Sequence, residues 1–318
     1  MNEKNIVVEA QQLRKTYGPR LALDCVSLEV RAGEVVGLLG PNGAGKTTTL
    51  SILATLISPD SGILRILGFD AGKQQSAIRK YLGLVPQSLA LYPSLSAVQN
   101  LRLFLRIHGL DNSAARAACA QALETVGLAD RARDQVAALS GGMQRRLNLA
   151  CGIAHRPKIL LLDEACIGVD PQSRSDILRT IRQSANAGAA AIYSTHYMEE
   201  VERLCDRVVL IHSGRVIASG TIAEVIAMAD SRPRMEFTFA GPTPASWYQE
   251  IEAIELTSLA GASGRVTLAL PTVDAVPELL QRARKMPGGL QQFSIRTPNL
   301  SDAFMILTGH SLRSDEPN

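Results

Sequence analysis

The segment Leu38-Leu39-Gly40-Pro41-Asn42-Gly43-Ala44-Gly45-Lys46-Thr47-Thr48 decides the fold. It follows an apolar run that begins at Val35 and fits the pattern G-x-x-x-x-G-K-[ST]. In that pattern glycines let a loop curl closely enough for its backbone N–H groups to point at phosphates. A helix starting near Lys46 adds the positive end of its dipole. Lys46 is placed to reach the β- and γ-phosphates, and the Thr47 hydroxyl to ligate Mg²⁺. A nucleotide is therefore the first candidate ligand.

Three further stretches follow in order. They are Leu139-Ser140-Gly141-Gly142-Met143-Gln144-Arg145-Arg146, the apolar run Ile159 to Leu162 closed by Asp163-Glu164, and Ile192-Tyr193-Ser194-Thr195-His196. Their order and spacing resemble the nucleotide-binding subunit of ABC transporters, from about Val7 to about Ala229. The L-S-G-G-x-Q element separates that family from other phosphate-loop proteins. The resemblance implies a P-loop ABC ATPase core with a mixed sheet and an inserted helical lobe.

It also implies roles. Tyr17 resembles the aromatic that stacks on adenine, Gln87 the glutamine that joins the metal and catalytic set, and Gly168-Val169-Asp170 the loop that meets a partner. Asp163 would hold Mg²⁺ together with Thr47 and Gln87, Glu164 would be the general base for water, and His196 would sense the γ-phosphate. Ser140, Gly141, Gly142 and Gln144 would clamp the ATP bound by a second copy, so one chain carries two half-sites. A head-to-tail dimer closing over two ATP molecules is the expected consequence. The family usually has Pro-Thr where this chain has Ala165-Cys166. Losing the proline is expected to loosen the turn that carries Glu164. Cys166, two residues beyond it, is expected to make the ATPase sensitive to thiol reagents.

The chain has 318 residues, 46% of them apolar, enough for one large domain and a small one. Net charge is only +3 with the basic residues dispersed, so no nucleic-acid partner is expected. Apolar runs stay far below the ~18 residues of a membrane span, and Met1-Asn2-Glu3-Lys4 opens no signal segment. The five cysteines, Cys25, Cys119, Cys151, Cys166 and Cys205, lack C-x-x-C spacing. They read as small buried hydrophobes in a reduced cytosol. His108, His155, His212 and His310 have no motif around them and read as surface residues.

Periodicity places strands at Ile6 to Glu9, Val26 to Val30, Glu34 to Leu39, Gly62 to Gly68 and Ile78 to Val85, with a helix from Lys46 to about Leu56. From Leu89 to Pro157 the pattern is helical. Strands return at Lys158 to Leu162 and Ala189 to Ser194 around a helix from Pro171 to Ala187, an alternation that implies a mostly parallel sheet. Arg207 to Ile211 and Arg215 to Ala218 form a hairpin, and Thr221 caps a last helix. The nucleotide-binding domain is read as residues 1–229.

At Asp230-Ser231 and Pro233 the composition changes, and residues 230–318 read as a small α+β accessory or regulatory domain. Strands around Phe237, Val266 and Phe293, with helices Trp247 to Ile254 and Val276 to Met286, suggest a β-α-β-β-α-β, ferredoxin-like arrangement. Leu300, Phe304 and Leu307 line a final helix capped by Asn299 and stopped at Gly309. This tail resembles those of ATPase subunits serving ABC-2 type exporters. The resemblance implies an ATP-hydrolysing subunit on the cytoplasmic face of a membrane, powering export through a separate ABC-2 type permease. An importer ATPase with a regulatory C-terminal domain, or a soluble ABC ATPase acting on nucleic acid or ribosomes, is the alternative.

Overall fold

The computed structural model describes residues 5–229, 232–241, 255–260, 264–270, 273–286 and 289–308. By its contacts the chain divides into two compact units, one ending at Ile222 and the other beginning at Ala223.

The first unit opens with two long antiparallel strands, β1 (Ile6–Tyr17) and β2 (Arg20–Arg31), then β3 (Val35–Leu39) and α1 (Lys46–Leu53). Both β1 and β2 outrun the short apolar segments that signal them. Their outer halves alternate polar residues, and shifts in register, one of them at Gln12 with φ +50°, break the period. Next come β4 (Ser61–Ile66), β5 (Phe69–Asp70), α2 (Gln75–Arg79) and β6 (Leu82–Val85). The expected single strand from Ile78 to Val85 is thus a short helix and a shorter strand. Arg79 explains the helix: its guanidinium reaches the Thr55 carbonyl at 2.7 Å and hydroxyl at 3.0 Å, which pulls Ile78 into the core.

Three helices follow, α3 (Ala97–Ile107), α4 (Asn112–Thr125) and α5 (Gly141–Ile153). They enclose a core of their own, built on Leu101, Leu105, Leu123, Val126 and Leu147. This is the helical lobe. Then come β7 (Ile159–Asp163), α6 (Pro171–Asn186), β8 (Ala190–Thr195), α7 (Met198–Leu204), and the hairpin β9 (Arg207–His212) with β10 (Arg215–Gly220). Ser213 and Gly214 turn that hairpin, both at positive φ, as a tight two-residue turn requires.

Strands β2-β1-β4-β5 make an antiparallel sheet. A six-stranded sheet runs β10-β9-β3-β8-β7-β6, parallel except at β10. The main core, including Leu13, Val26, Leu50, Leu53 and Ile192, draws on both sheets and α1. Leu38, Leu161 and Ile192 come from near-continuous apolar strands, as expected of parallel strands covered on both faces. All catalytic candidates on β3, β7 and β8 leave from the C-terminal ends of these strands, where ligands of open α/β sheets bind.

The second unit holds α8 (Ile222–Ala229), β11 (Arg234–Phe239), β12 (Glu255–Ala260), β13 (Arg265–Ala269), α9 (Val276–Arg284), β14 (Leu290–Arg296) and α10 (Leu300–Thr308). The division falls at the first residue of α8, whereas the composition changes after that helix. The sheet order β12-β13-β11-β14, antiparallel at every neighbour, is the order a split β-α-β-β-α-β chain produces. Met235, Phe237, Val266 and Leu268 pack with Leu279 and Ala283 of α9. The anticipated helix at Trp247–Ile254 and the stop at Gly309 lie outside the described residues. Asn299 does cap α10: its Oδ1 accepts from Asp302 N–H at 3.0 Å, and Asp302 accepts from Asn299 N–H at 3.0 Å. Among the described residues, no helix is long and apolar enough to cross a membrane.

Candidate functional site: a phosphate loop facing two acids

The phosphate loop leaves β3 at Gly40, where a Cβ would come within 2.2 Å of the Ile211 carbonyl oxygen. It enters α1 at Gly45, with φ +110° and a virtual Cβ 2.7 Å from Leu23. Only glycine satisfies both positions. Between them Pro41 accepts from Ala44 N–H at 3.2 Å, which closes the turn and leaves Asn42 and Gly43 exposed. Helix α1 has no acidic residue in its first turn and no side chain capping it, so the amides of Lys46, Thr47 and Thr48 are available to an anion.

Lys46 is buried, and its Nζ donates to the carbonyls of Gly40 at 2.8 Å and Pro41 at 3.1 Å. Burial pushes its ammonium below the usual lysine range, while the nearby Glu164 and Asp163 carboxylates oppose that shift. Thr47 Oγ1 donates to Asp163 Oδ2 at 2.8 Å, and the Ser194 hydroxyl donates to the other oxygen of Asp163. Ser194 was not predicted as a site residue. The signal was available in the strand register, because Ser194 on β8 lies directly opposite Asp163 on β7.

Glu164 is the focus. Gln87 Nε2 donates to its Oε2 at 2.9 Å, His196 Nδ1 lies 3.1 Å from its Oε1, and Lys46 Nζ lies 3.7 Å from Oε1. Three residues from three separate motifs therefore meet at the carboxylate of a fourth, Glu164, which is 7% exposed. Gln87 sits on Glu164, and no hydrogen bond among the described residues joins it to Thr47 or Asp163. The neighbouring Arg145, from the first turn and a half of α5, donates to the Gln87 carbonyl. It was missed because an arginine in a helix beside the L-S-G-G run reads as a solvated face.

Glu164 is firmly held in spite of Ala165. Its backbone sits at φ +46°, Ala165 is 2% exposed, and Ile167 N–H closes the turn onto the Glu164 carbonyl at 3.1 Å. Buried packing and this hydrogen bond stand here in place of a proline ring. Cys166 is 1% exposed, and burial pushes its thiol up to about 12. That removes the physical ground for easy thiol modification, since the thiolate is the reactive form.

Tyr17 ends β1 with its ring 48% exposed, and Lys15 Nζ lies 5.8 Å from the ring centroid, fixed by Asp60 at 2.8 Å. Arg20 Nη2, at the start of β2, donates to the Gly43 carbonyl at 3.3 Å, a contact of the loop the sequence did not announce.

Ser140, Gly141, Gly142 and Gln144 form a separate locus. Ser140 caps α5 by accepting from Met143 N–H at 3.3 Å, and both Ser140 and Gly141 are exposed. Gly142 abuts α6: a Cβ there would lie 2.5 Å from Ser173 Oγ and 2.9 Å from Asp170 Oδ2. Asp170 caps α6 through Ser173 N–H at 2.9 Å, and that bond holds its carboxyl below the usual range. Gln144 turns inward, donating to the Val136 and Leu139 carbonyls at 3.0 Å each, so it braces the loop before Ser140.

Two expectations for scattered residues change. Cys25 is exposed, at φ +57° on β2, while the other four cysteines are buried. His108 and His155 are half-buried rather than surface residues, their rings stacked at 3.7 Å, with His155 Nε2 2.9 Å from the Leu82 carbonyl. His212 is half-buried at the end of β9, and His310 lies outside the described residues.

Residues 23–167 match the protein family described as ABC transporter. The chain is 36% identical over 316 residues to the linearmycin resistance ATP-binding protein LnrL of Bacillus subtilis, covering 96% of this chain and all of that one. It is 38% identical over 307 residues to the Nod factor export ATP-binding protein I of Burkholderia orbicola, covering 96% and 98%. Among solved structures, a dimeric post-hydrolysis state of an ATP-binding cassette bound to ADP and phosphate matches with a TM-score of 0.62 and 27% identity, over 67% of this chain and 98% of that one. A phosphate loop, a paired-acid strand end and a capped glycine turn in this arrangement, together with 36–38% identity to these relatives over nearly their whole length, make the chain a member of the ABC transporter family, an ATP-binding cassette ATPase.

Proposed function

We propose that this chain is the ATP-hydrolysing subunit of an exporter, working as a head-to-tail pair beneath a separate ABC-2 type membrane permease on the cytoplasmic face. The observation that carries the reading is the convergence of Lys46, Gln87 and His196 on Glu164. The names of relatives linked to drug resistance and Nod factor export support the direction of transport, and the capped Leu300-x-Asp302-x-Phe304 tail supports the ABC-2 type assignment.

Phosphoryl transfer to water needs positioning and charge neutralisation more than covalent chemistry. Lys46 and the α1 amides hold the β- and γ-phosphates. Glu164 orients the attacking water and takes its proton, and Gln87 and His196 fix the direction of that carboxylate. Tyr17 stacks on the base. Thr47 and Asp163 fit a divalent cation, being oxygen donors already 2.8 Å apart, and Gln87 would add its amide oxygen. Mg²⁺ bound there supplies neutralisation of charge on the phosphate oxygens. Ser140 and Gly141, exposed at the N-terminus of α5, and the half-buried Gly142 beside them clamp the γ-phosphate held by the second copy. The unit that begins near residue 223 is read as regulatory, since every nucleotide-facing residue precedes it.

The test is purification of the full chain from membranes in mild detergent. A hydrophobic partner should copurify, and ATP-dependent transport by the pair should disappear with Lys46→Ala. Recovery of the chain only with ribosomes or nucleic acid would replace this reading with the mechanical ATPase.

A further inference from the structure

Glu200, in the first turn of α7, is 3% exposed although it carries a charge and belongs to none of the recognised motifs. Its Oε2 accepts from the Tyr193 hydroxyl at 2.6 Å and from Thr195 Oγ1 at 2.8 Å. Its Oε1 faces Arg174 Nε at 3.5 Å, and neither of those two atoms has a hydrogen bond in its place. Thr195 Oγ1 in turn accepts from Tyr197 N–H at 3.0 Å. Tyr197 packs against the His196 ring, tilted by 39° with centroids 4.1 Å apart, and the Arg174 guanidinium lies 5.5 Å from the Tyr197 ring centroid.

These contacts sort by parity. Along β8 and just past its end, the odd-numbered residues Tyr193, Thr195 and Tyr197 engage Glu200 or Arg174. The even-numbered Ser194 and His196 engage the acids Asp163 and Glu164. Successive side chains of a strand point to opposite sides, so along β8 Tyr193 and Thr195 anchor one side while Ser194 faces the acids, and His196 and Tyr197 follow past the end of the strand with their rings in contact. Arg174 adds a second link. It stands in the first turn of α6, one residue after Ser173, which touches the Asp170 and Gly142 locus.

We propose that Glu200 is a positioning residue for hydrolysis. It fixes His196 against Glu164 from behind the strand, and through Arg174 it ties that orientation to the start of α6, where a second copy is expected to close. The proposal rests on His196 acting at the γ-phosphate, as read above. A buried carboxylate that accepts two hydroxyl hydrogen bonds restricts the backbone of Thr195 and Tyr197 on both sides of His196, which a surface glutamate would not do.

The experiment uses the full-length chain with Glu200→Gln, which keeps shape and acceptor capacity but loses the charge facing Arg174, and with Glu200→Ala. ATP binding, followed by a fluorescent nucleotide analogue, should stay within about threefold of wild type. Turnover should fall about fivefold in Glu200→Gln and about 50-fold in Glu200→Ala, a loss in kcat with KM nearly unchanged. In a double-mutant cycle, Glu200→Gln should lower turnover no further once His196→Ala is present. With ¹⁵N-labelled histidines, the His196 ring signal, identified by its loss in His196→Ala, should shift in Glu200→Gln. A fivefold loss repeated in full in the His196→Ala background, or an unmoved His196 signal in a folded Glu200→Gln, overturns the positioning role and leaves the assignment of His196 standing. Wild-type turnover in His196→Ala itself would overturn both.

Discussion

The backbone N–H of Glu164 donates to the Ser194 carbonyl at 3.0 Å, so the residue proposed as the hydrolytic base is stitched to the neighbouring strand. With φ at +46°, a region glutamate seldom occupies, this stitch and the Ile167 turn hold a conformation that the side chain alone would not choose. Rigidity at this point is what a general base needs.

Replacing Glu164 by Gln keeps the size and the contacts with Gln87 and His196 but removes the base. Turnover should drop by about 100-fold or more while ATP binding persists. Steady-state hydrolysis at the wild-type level, measured beside nucleotide affinity, would refute the assignment.

The separation of the Ser140–Gly142 locus from the Lys46 cluster leads to a complementation experiment. A Lys46→Ala chain and a Ser140→Arg chain each spoil one half-site, so crosslinked mixed pairs should regain one intact site and about half of wild-type activity. Mixed pairs no more active than either parent would argue against shared sites.

Thiol reactivity should follow burial. Cys25 is exposed and should label within minutes in the native chain, whereas Cys166, with its thiol pushed up to about 12, presents roughly one thiolate in 10⁴ at pH 8 and should resist. Mass spectrometry of native and denatured samples, read together with ATPase activity, decides it. Rapid native labelling of Cys166 would contradict the packing around it.

His155 gives a pH dependence with a definite sign. Burial, and then the stacked His108, push its imidazole down to about 4, so the folded chain keeps it neutral where an unfolded chain would accept a proton. Stability should therefore be full above about pH 6.5 and fall as pH drops toward 4, by up to about 3 kcal/mol from this group. Melting curves of the wild type should show a steeper acid loss than His155→Gln over that interval. Equal slopes would remove His155 as the cause.

What could be read from the sequence followed from locality. The phosphate loop, the acid pair and the capped glycine turn are each contiguous, and each chemistry is encoded within a few residues. The helical lobe was legible from period alone, and the small domain's β11, β13 and β14 from alternation at Phe237, Val266 and Phe293, whereas β12 gave no such signal and the order of the strands came from the assumed split arrangement. Misreadings came where a distant partner decides the outcome. Ile78 looks like part of a strand until Arg79 is seen to grip Thr55, and His108 stacks on a ring 47 positions away. Glu200 looks like one more acid in the Glu199–Glu202 stretch, and only the folded chain shows it buried against Tyr193 and Thr195.

The alternation from Tyr193 to Thr195, which sets where His196 leaves the strand, makes the length of this stretch as fixed as its composition. Adding or removing a single residue there would exchange the anchored side for the reacting side, turning hydroxyls meant for Glu200 toward Asp163 and the imidazole away from Glu164. The turn at Ser213-Gly214 is constrained as well: Gly214 is buried, its N–H donates to the Ala44 carbonyl of the phosphate loop at 2.9 Å and its carbonyl accepts from Asp24 N–H at 2.8 Å, so a longer turn there would pull on the loop that receives the phosphates.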